Sequence, residues 1–301
     1  MQKACEWPLF SVDLEISLLC DNSCIFCPRE KILRPSGLMK SGDFSIIADK
    51  LISVPSRIAL SGMGNPLLNP NWHDFIKTYR EMGGKIGIVI PAASVNDEIA
   101  EKLLYSRASF VEISFPTLQK ELFEKLLPGA SFEKCLEAIK NLRKALSKTS
   151  IAIVGLKTRM NEDEEPEFKL FWKEEGFQPR FFSCHTRGGN LEDRDLIFTE
   201  SSSSNLCGLT CAHTFIDWQG NVLICCHDLI GNTRLANILE DPVEKILQIK
   251  GAFFEKLPPY AICRTCDEPA RFRPIPAGKL PESSNARNRF LKNWPKKKHS
   301  F

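Results

Sequence analysis

Cys20-Asp21-Asn22-Ser23-Cys24-Ile25-Phe26-Cys27 is the stretch on which the reading of this chain turns. Three thiols at C-x3-C-x2-C spacing are one short of the four ligands that close a tetrahedral zinc site or a cubane iron–sulfur cluster. A cluster held by them keeps one iron open, where an outside molecule can coordinate and receive an electron. A zinc knuckle wants a nearby histidine or a fourth cysteine, and the next histidine is His73. A disulfide framework wants a secreted chain, whereas Met1-Gln2-Lys3-Ala4-Cys5-Glu6-Trp7-Pro8 carries no apolar signal run. The cluster is preferred over both.

Outward from this run, periodicity gives alternating strands and helices. Strands are expected at Ser11–Ser17, Arg57–Ser61, Lys85–Ile90, Phe110–Phe115, Ser150–Leu156 and Arg180–Ser183. Between them lie helical patterns at Asp43–Ser53, Asn71–Met82, Asn96–Ser106, Thr117–Leu127 with Ser131–Lys148, and Asn161–Glu175. Such βα units pair in parallel with right-handed crossovers. In a barrel built from them the chemistry sits at the C-terminal ends of the strands, and Cys20–Cys27 follows the first.

With 301 residues the chain can form one large α/β domain, or a medium domain with a small appendage. A net charge of +3 gives no sign of a nucleic-acid substrate, and no stretch approaches the roughly 18 apolar residues of a membrane span. Twelve cysteines without a signal run point to metal or redox chemistry in a reducing, cytoplasmic compartment. Residues 271–301, with Lys292, Lys296, Lys297 and Lys298, read as a solvated basic tail. In Ser131–Lys148 the stripe Phe132, Cys135, Leu136, Ile139, Leu142 and Leu146 makes Cys135 a small core residue.

Two strands carry acids on one face. Val12, Leu14 and Ile16 alternate with Asp13, Glu15 and Ser17, and Val111, Ile113 and Phe115 with Glu112 and Ser114. Carboxylates pointing into a barrel need polar partners, which an open barrel holding a polar cofactor and substrate provides. Glu15 and Glu112 are therefore candidate substrate contacts; strands facing water at the sheet edge are the alternative.

On the three-cysteine run, with aromatic Phe26 before its last cysteine, the chain resembles the radical S-adenosylmethionine (radical SAM) family. The resemblance implies a partial (β/α)6 TIM-like barrel over residues 1–190, a [4Fe-4S] cluster on Cys20, Cys24 and Cys27, and S-adenosylmethionine at its open iron, with Phe26 near the adenine. Ser61-Gly62-Met63-Gly64-Asn65-Pro66 is similar to the family's G-G-E-P segment, whose backbone holds the amino group of the cofactor. Met63 and Asn65 stand where Gly and Glu are usual, so the backbone role survives and the carboxylate does not. The family's T-N-G run near the ribose has no counterpart after the third strand. Ser114 falls where a polar cofactor contact is frequent, and Arg159 could meet the cofactor carboxylate or be a surface residue.

A second cysteine set follows. Cys207-x12-Gly220-x4-Cys225, with Cys263-x2-Cys266, resembles the auxiliary-cluster domain called SPASM, in its short Twitch form, over residues 200–270. His213–Trp218 and Asn221–Cys225, joined by Gln219-Gly220, read as a hairpin that returns Cys225 beside the chain entering from Cys207. The expected auxiliary [4Fe-4S] ligands are Cys207, Cys225, Cys263 and Cys266. Cys207 is favoured over Cys211 by family spacing, and Cys225 over Cys226 by strand alternation. A four-cysteine zinc ribbon is the rival.

By the same resemblance the cofactor splits into methionine and a 5′-deoxyadenosyl radical, which takes a hydrogen atom from a substrate carbon. Two outcomes compete: oxidation with an electron passed to the auxiliary cluster, as in Twitch-type aminocyclitol dehydrogenases, and epimerisation by a thiol donor. In Cys184-His185-Thr186-Arg187-Gly188-Gly189, Cys184 is the candidate hydrogen donor, His185 the acid–base group and Arg187 an anchor; a packed thiol and a structural histidine are the plain alternatives. With no leader-recognition domain expected before the first strand, a small polar substrate such as a sugar or aminocyclitol is preferred to a ribosomal peptide. An external electron donor such as flavodoxin or ferredoxin is implied, and neither a nucleic-acid nor a membrane partner. A non-catalytic zinc protein and a simple electron carrier are the readings from other classes.

Overall fold

Ile86, Ile88 and Ile90 show why the centre of the molecule is a parallel sheet: β-branched residues fill one face of a strand from which water is excluded, and these three are at most 1% exposed. The computed structural model describes residues 11–54, 56–199, 207, 209–210, 213–251 and 260–268. Cys5, Cys211 and the basic segment 271–301 lie outside the described residues.

Six strands, β1 (Ser11–Leu14), β2 (Arg57–Leu60), β3 (Lys85–Pro91), β4 (Phe110–Ser114), β5 (Ser150–Lys157) and β6 (Gln178–Ser183), pair in parallel in sequence order. Helices α1 (Ser41–Ile52), α2 (Trp72–Glu81), α3 (Asp97–Ser106), α4 (Lys120–Leu126), α5 (Phe132–Ala145) and α6 (Glu165–Glu174) form the crossovers. Their apolar stripes cover one face of the sheet, with Phe44 of α1 stacked on Phe75 of α2 at 4.3 Å between ring centroids. Asn96 and Ser131 cap α3 and α5 by accepting the N–H of Ile99 and Lys134. Cys135 is buried on the α5 stripe, as its spacing predicts.

The sheet does not close. Its β1 edge pairs in parallel with β7 (His213–Ile216), which turns into antiparallel β8 (Asn221–Leu223) and β9 (Ala236–Asn237), giving one sheet in the order β6-β5-β4-β3-β2-β1-β7-β8-β9. The fold is thus the partial α/β barrel expected, with the C-terminal hairpin grafted onto the barrel's own edge. Gly220, at φ 80°, makes the turn, and Asp217 Oδ1 braces it by accepting the N–H groups of Gln219 and Asn221. Beyond it lie α7 (Val243–Gly251) and α8 (Ala261–Arg264). Among the described residues no helix is long and apolar enough to cross a membrane.

The inward acids Glu15 and Glu112, candidate substrate contacts by their alternation, have partners within the protein. Glu112 Oε1 accepts from Arg57 at 2.9 Å and Arg180 at 2.8 Å. Arg57 opens β2, so this carboxylate belongs to an ion cluster toward the N-terminal ends of the strands, away from the cysteine loop. Glu15 is 1% exposed and meets Arg34 through both oxygens, at 2.5 and 3.1 Å, while Oε2 also accepts the N–H of Met63. Burial pushes the Glu15 carboxyl up against the opposing pull of Arg34, a balance that a group already committed to structure can tolerate. Asp13 lies 3.3 Å from His213 of β7 and helps join barrel to hairpin.

Candidate active site

The cysteine loop leaves β1 at its C-terminal end and is tied down by its own backbone. Cys27 N–H donates to Cys24 O at 3.1 Å, forming a tight turn, and Ile25 N–H donates to Leu126 O at the end of α4 at 3.1 Å. Arg29 donates to Leu18 O at 3.2 Å and to Met63 O at 2.5 Å, stapling this loop to the one after β2. Cys20, Cys24 and Cys27 are unbridged and partly exposed. Burial, then the neighbouring thiolates Cys27 and Cys20, push Cys24 up to about 12. Burial also raises Cys27, against the pull of Arg187 and Arg29. The three sulfurs therefore lie close enough to oppose one another's ionisation. A cationic iron core reverses that opposition, and three thiols in one loop fit it.

Around Gly62-Met63-Gly64-Asn65 the packing is close, backbone on backbone at Gly64 and backbone on the Glu15 side chain at Gly62. A Cβ at Gly64 would lie 2.2 Å from Ser17 O, and one at Gly62 would lie 2.5 Å from Glu15 Cγ, so neither position admits a side chain. Met63 turns its side chain into a small cluster with Leu18 and Leu229 and leaves its peptide to Arg29 and Glu15. Asn65, 2% exposed, accepts the N–H of Leu67 and donates through Nδ2 to Asp21 Oδ1 at 2.9 Å and Ser94 Oγ at 3.2 Å. Next to it a cavity of about 460 Å³ is lined by Asp21, Asn22, Ser23, Cys24, Asn65 and Ser94 among others.

Other expected contacts scatter around this centre. Phe26 packs between the main core and a satellite cluster of Leu122, Leu126, Cys184, Leu191 and Leu196. Ser114 ends β4, partly buried, and Arg159 stands exposed in the turn after β5. Asp21 and Ser94 were not foreseen. Asp21 sits between two motif cysteines, where the spacing assigns no role, and the Ser94 hydroxyl stands after the third strand, where the T-N-G run has no counterpart.

Cys184 is 4% exposed inside the satellite cluster, and burial pushes its thiol up to about 11, with Arg187 opposing. It is held as S–H, the form able to give up a hydrogen atom. His185 Nδ1 accepts the N–H of Arg187 at 3.1 Å, which leaves Nε2 to donate to Glu268 at 2.7 Å. Burial disfavours charge on His185, but Asp267 and Glu268 outweigh it and its pKa rises. His227 Nε2 reaches the same Glu268 oxygen at 3.1 Å, and burial lowers its pKa. Asp267 accepts the backbone N–H of Thr186 and the hydroxyls of Thr186 and Thr199; burial would raise its carboxyl, but nearby His185 and these bonds depress it. Asp267 and Glu268, directly after Cys266, thus lash the second cysteine segment to the His185–Gly189 loop. An acidic pair following C-x2-C was the available signal for them.

Cys207, Cys225, Cys263 and Cys266 line one pocket together with Ile224 and Ile262. Cys225 is raised well above the ordinary thiol range by burial and then by Cys226, with further contributions from Cys263 and Cys266. Cys226 faces a different set: burial raises it to about 12, and its charged neighbours are Asp13, Arg187 and Glu268. Four thiols converging on an apolar pocket fit a second cluster as the first three fit theirs. Arg187 opposes the rise of Cys27, Cys184 and Cys226 alike.

Comparison with known proteins agrees with this layout. Residues 14–170 match the Radical SAM superfamily, and residues 207–267 match SPASM, an iron–sulfur cluster-binding domain. The chain is 29% identical over 167 residues to the GTP 3′,8-cyclase of Aliarcobacter butzleri, covering 54% of this chain and 51% of that protein. It is 26% identical over 165 residues to the tungsten-containing aldehyde ferredoxin oxidoreductase cofactor-modifying protein of Pyrococcus furiosus, covering 52% and 46%. The chain thus spans about half the length of the curated relatives it matches. The fold is similar to that of BtrN in complex with AdoMet and 2-DOIA, with a TM-score of 0.58 at 16% identity, over 86% of this chain and 93% of the other. It is also similar to Streptococcus suis SuiB bound to its precursor peptide SuiA, with a TM-score of 0.63 at 13% identity, over 86% and 71%.

Proposed function

Since the chain belongs to the radical SAM superfamily and carries a SPASM-type cluster domain, we propose that it oxidises or epimerises a C–H centre of a small polar substrate such as a sugar or aminocyclitol. When bound, S-adenosylmethionine and the first [4Fe-4S] cluster supply a 5′-deoxyadenosyl radical that takes one hydrogen atom from the substrate. The chain's share is to hold, orient and exclude water. Cys20, Cys24 and Cys27 hold the first cluster. The backbone of Gly62–Asn65, with Phe26 and Ser114, cradles the cofactor. Cys207, Cys225, Cys263 and Cys266 hold the auxiliary cluster. A flavodoxin or ferredoxin, in the cytoplasm, delivers the initiating electron.

The observation that carries this reading is the loop Cys184–Gly189, which packs against Phe26 on one side and is bonded to Asp267 and Glu268 on the other. It offers two outcomes. In oxidation the proton lost by the substrate would go to the hydrogen-bonded His185–Glu268 pair, and the cofactor and auxiliary cluster, when bound, would supply the acceptors for the hydrogen atom and the electron. In epimerisation Cys184 would return a hydrogen atom to the opposite face, its thiol being restored by one proton and by one electron that the auxiliary cluster, when bound, would supply. Arg187 anchors the substrate in either case.

Turnover in heavy water, with products read by mass spectrometry, separates them. A product about two mass units lighter than substrate is the oxidation outcome, and one carrying a single solvent deuterium is the epimerisation outcome, the cofactor serving either. A peptide that gains a crosslink while candidate sugars and aminocyclitols remain untouched would replace the small-molecule reading with peptide maturation.

A further inference from the structure

We propose that Asp21 accepts a hydrogen bond from the α-amino group of S-adenosylmethionine and so anchors the methionine end of the cofactor in the cavity beside the cysteine loop. This rests on the radical SAM reading and adds a residue to it. Asp21 is the one charged side chain lining that cavity, whose remaining walls are neutral polar and apolar residues. It follows Cys20 directly and shares the cavity lining with Cys24, so the carboxylate and one of the three thiols open onto the same space.

The carboxylate is held rather than adrift. Asp21 Oδ1 accepts from Nδ2 of Asn22 at 2.8 Å and from Nδ2 of Asn65 at 2.9 Å. Asn65 is itself fixed, 2% exposed, by accepting the N–H of Leu67 and by its contact with Ser94. Two amides on one oxygen set the plane of the group and leave Oδ2, which accepts no hydrogen bond among the described residues. An amine hydrogen is the complementary donor.

The test uses cluster-loaded protein, reduced and anaerobic, titrated with S-adenosylmethionine alone so that no substrate amine contributes. Binding is read by calorimetry and by the paramagnetic signal of the reduced cluster. Asp21→Asn should weaken the Kd about ten- to hundredfold, the range of one charge-assisted bond, at unchanged iron content. A deaminated analogue of the cofactor should bind the wild type and Asp21→Asn within about twofold of each other, since the lost partner is then absent from both. The double variant Asp21→Asn/Asn65→Glu should regain most of the lost affinity by placing a carboxylate on the same wall. Asn65→Ser, which removes the amide holding Asp21, should weaken binding severalfold and keeps the test open if Asp21→Asn loads less iron. Equal Kd values for the wild type and these single variants, or an equal loss for the deaminated analogue, would overturn the proposal alone. A wild-type protein that binds no cofactor would overturn the radical SAM reading with it.

Discussion

Cys24→Ala is expected to abolish the formation of 5′-deoxyadenosine under dithionite and to lower iron by about four atoms per chain, one cluster's worth. The effect is all or none because of how the loop is built. Cys24 is the middle of three thiols, and its carbonyl accepts the N–H of Cys27. With an alanine at 24, two ligands remain and no described cysteine outside the motif lines the cavity beside Cys24. Neighbouring contacts do not depend on the sulfur: Ile25 to Leu126 and Arg29 to Met63 are made through backbone and guanidinium. The variant should therefore fold and retain the auxiliary iron while losing the reaction. Quantifying 5′-deoxyadenosine by chromatography beside an iron assay checks this, and undiminished nucleoside would take the motif out of the mechanism.

The second large effect concerns the other end of the chain. Cys263→Ala is expected to bring iron from about eight toward about four atoms per chain while cofactor cleavage continues, now uncoupled from product. Cys263 is buried at the start of α8, and its pocket is shared with Cys207, Cys225 and Cys266. Removing one of four thiols opens that site to water, yet the first loop and the glycine cradle lie elsewhere on the sheet. Nucleoside formation should persist while substrate turnover falls below detection. Unchanged iron content would discard the second site, and a colourless wild type loaded with zinc would favour the ribbon.

How much of this was legible in the chain depends on range. The βα units were readable because their signal is local: β3 was expected at Lys85–Ile90 and runs Lys85–Pro91, and α5 lies within the stripe drawn from Phe132 to Leu146. β9 was missed because two residues, Ala236 and Asn237, carry no period. The pairing of β1 with β7 was missed because a parallel neighbour some 200 positions away leaves no mark on either strand's own pattern. The same limit explains the acids. Alternation correctly turned Glu15 and Glu112 inward, but their counter-charges arrive from 19, 55 and 68 positions away, and periodicity cannot announce a meeting of that kind. Among the described residues that line the cavity beside Cys24, the carboxylate is Asp21, a residue to which spacing alone assigns no role.

A rigid linkage also joins the two halves. Arg34 reaches Glu15 at the end of β1 and lies 4.0 Å from Asp217 of the hairpin turn, while Glu15 steadies the peptide of Met63. The glycine cradle is therefore buttressed from the segment that also positions the second thiol pocket. Buried pairs of this type add little net stability but are costly to break singly, which suits a group whose work is to fix geometry.

If Cys20, Cys24 and Cys27 hold the first cluster as proposed, one iron is left without a protein ligand, and the most direct measurement is Mössbauer and electron paramagnetic resonance spectroscopy of the reduced wild-type protein before and after addition of S-adenosylmethionine. One iron of the first cluster should be distinct from the other three and should change its parameters when the cofactor is added. Four equivalent irons, with spectra indifferent to the cofactor, would mean that a fourth side chain already closes the cluster.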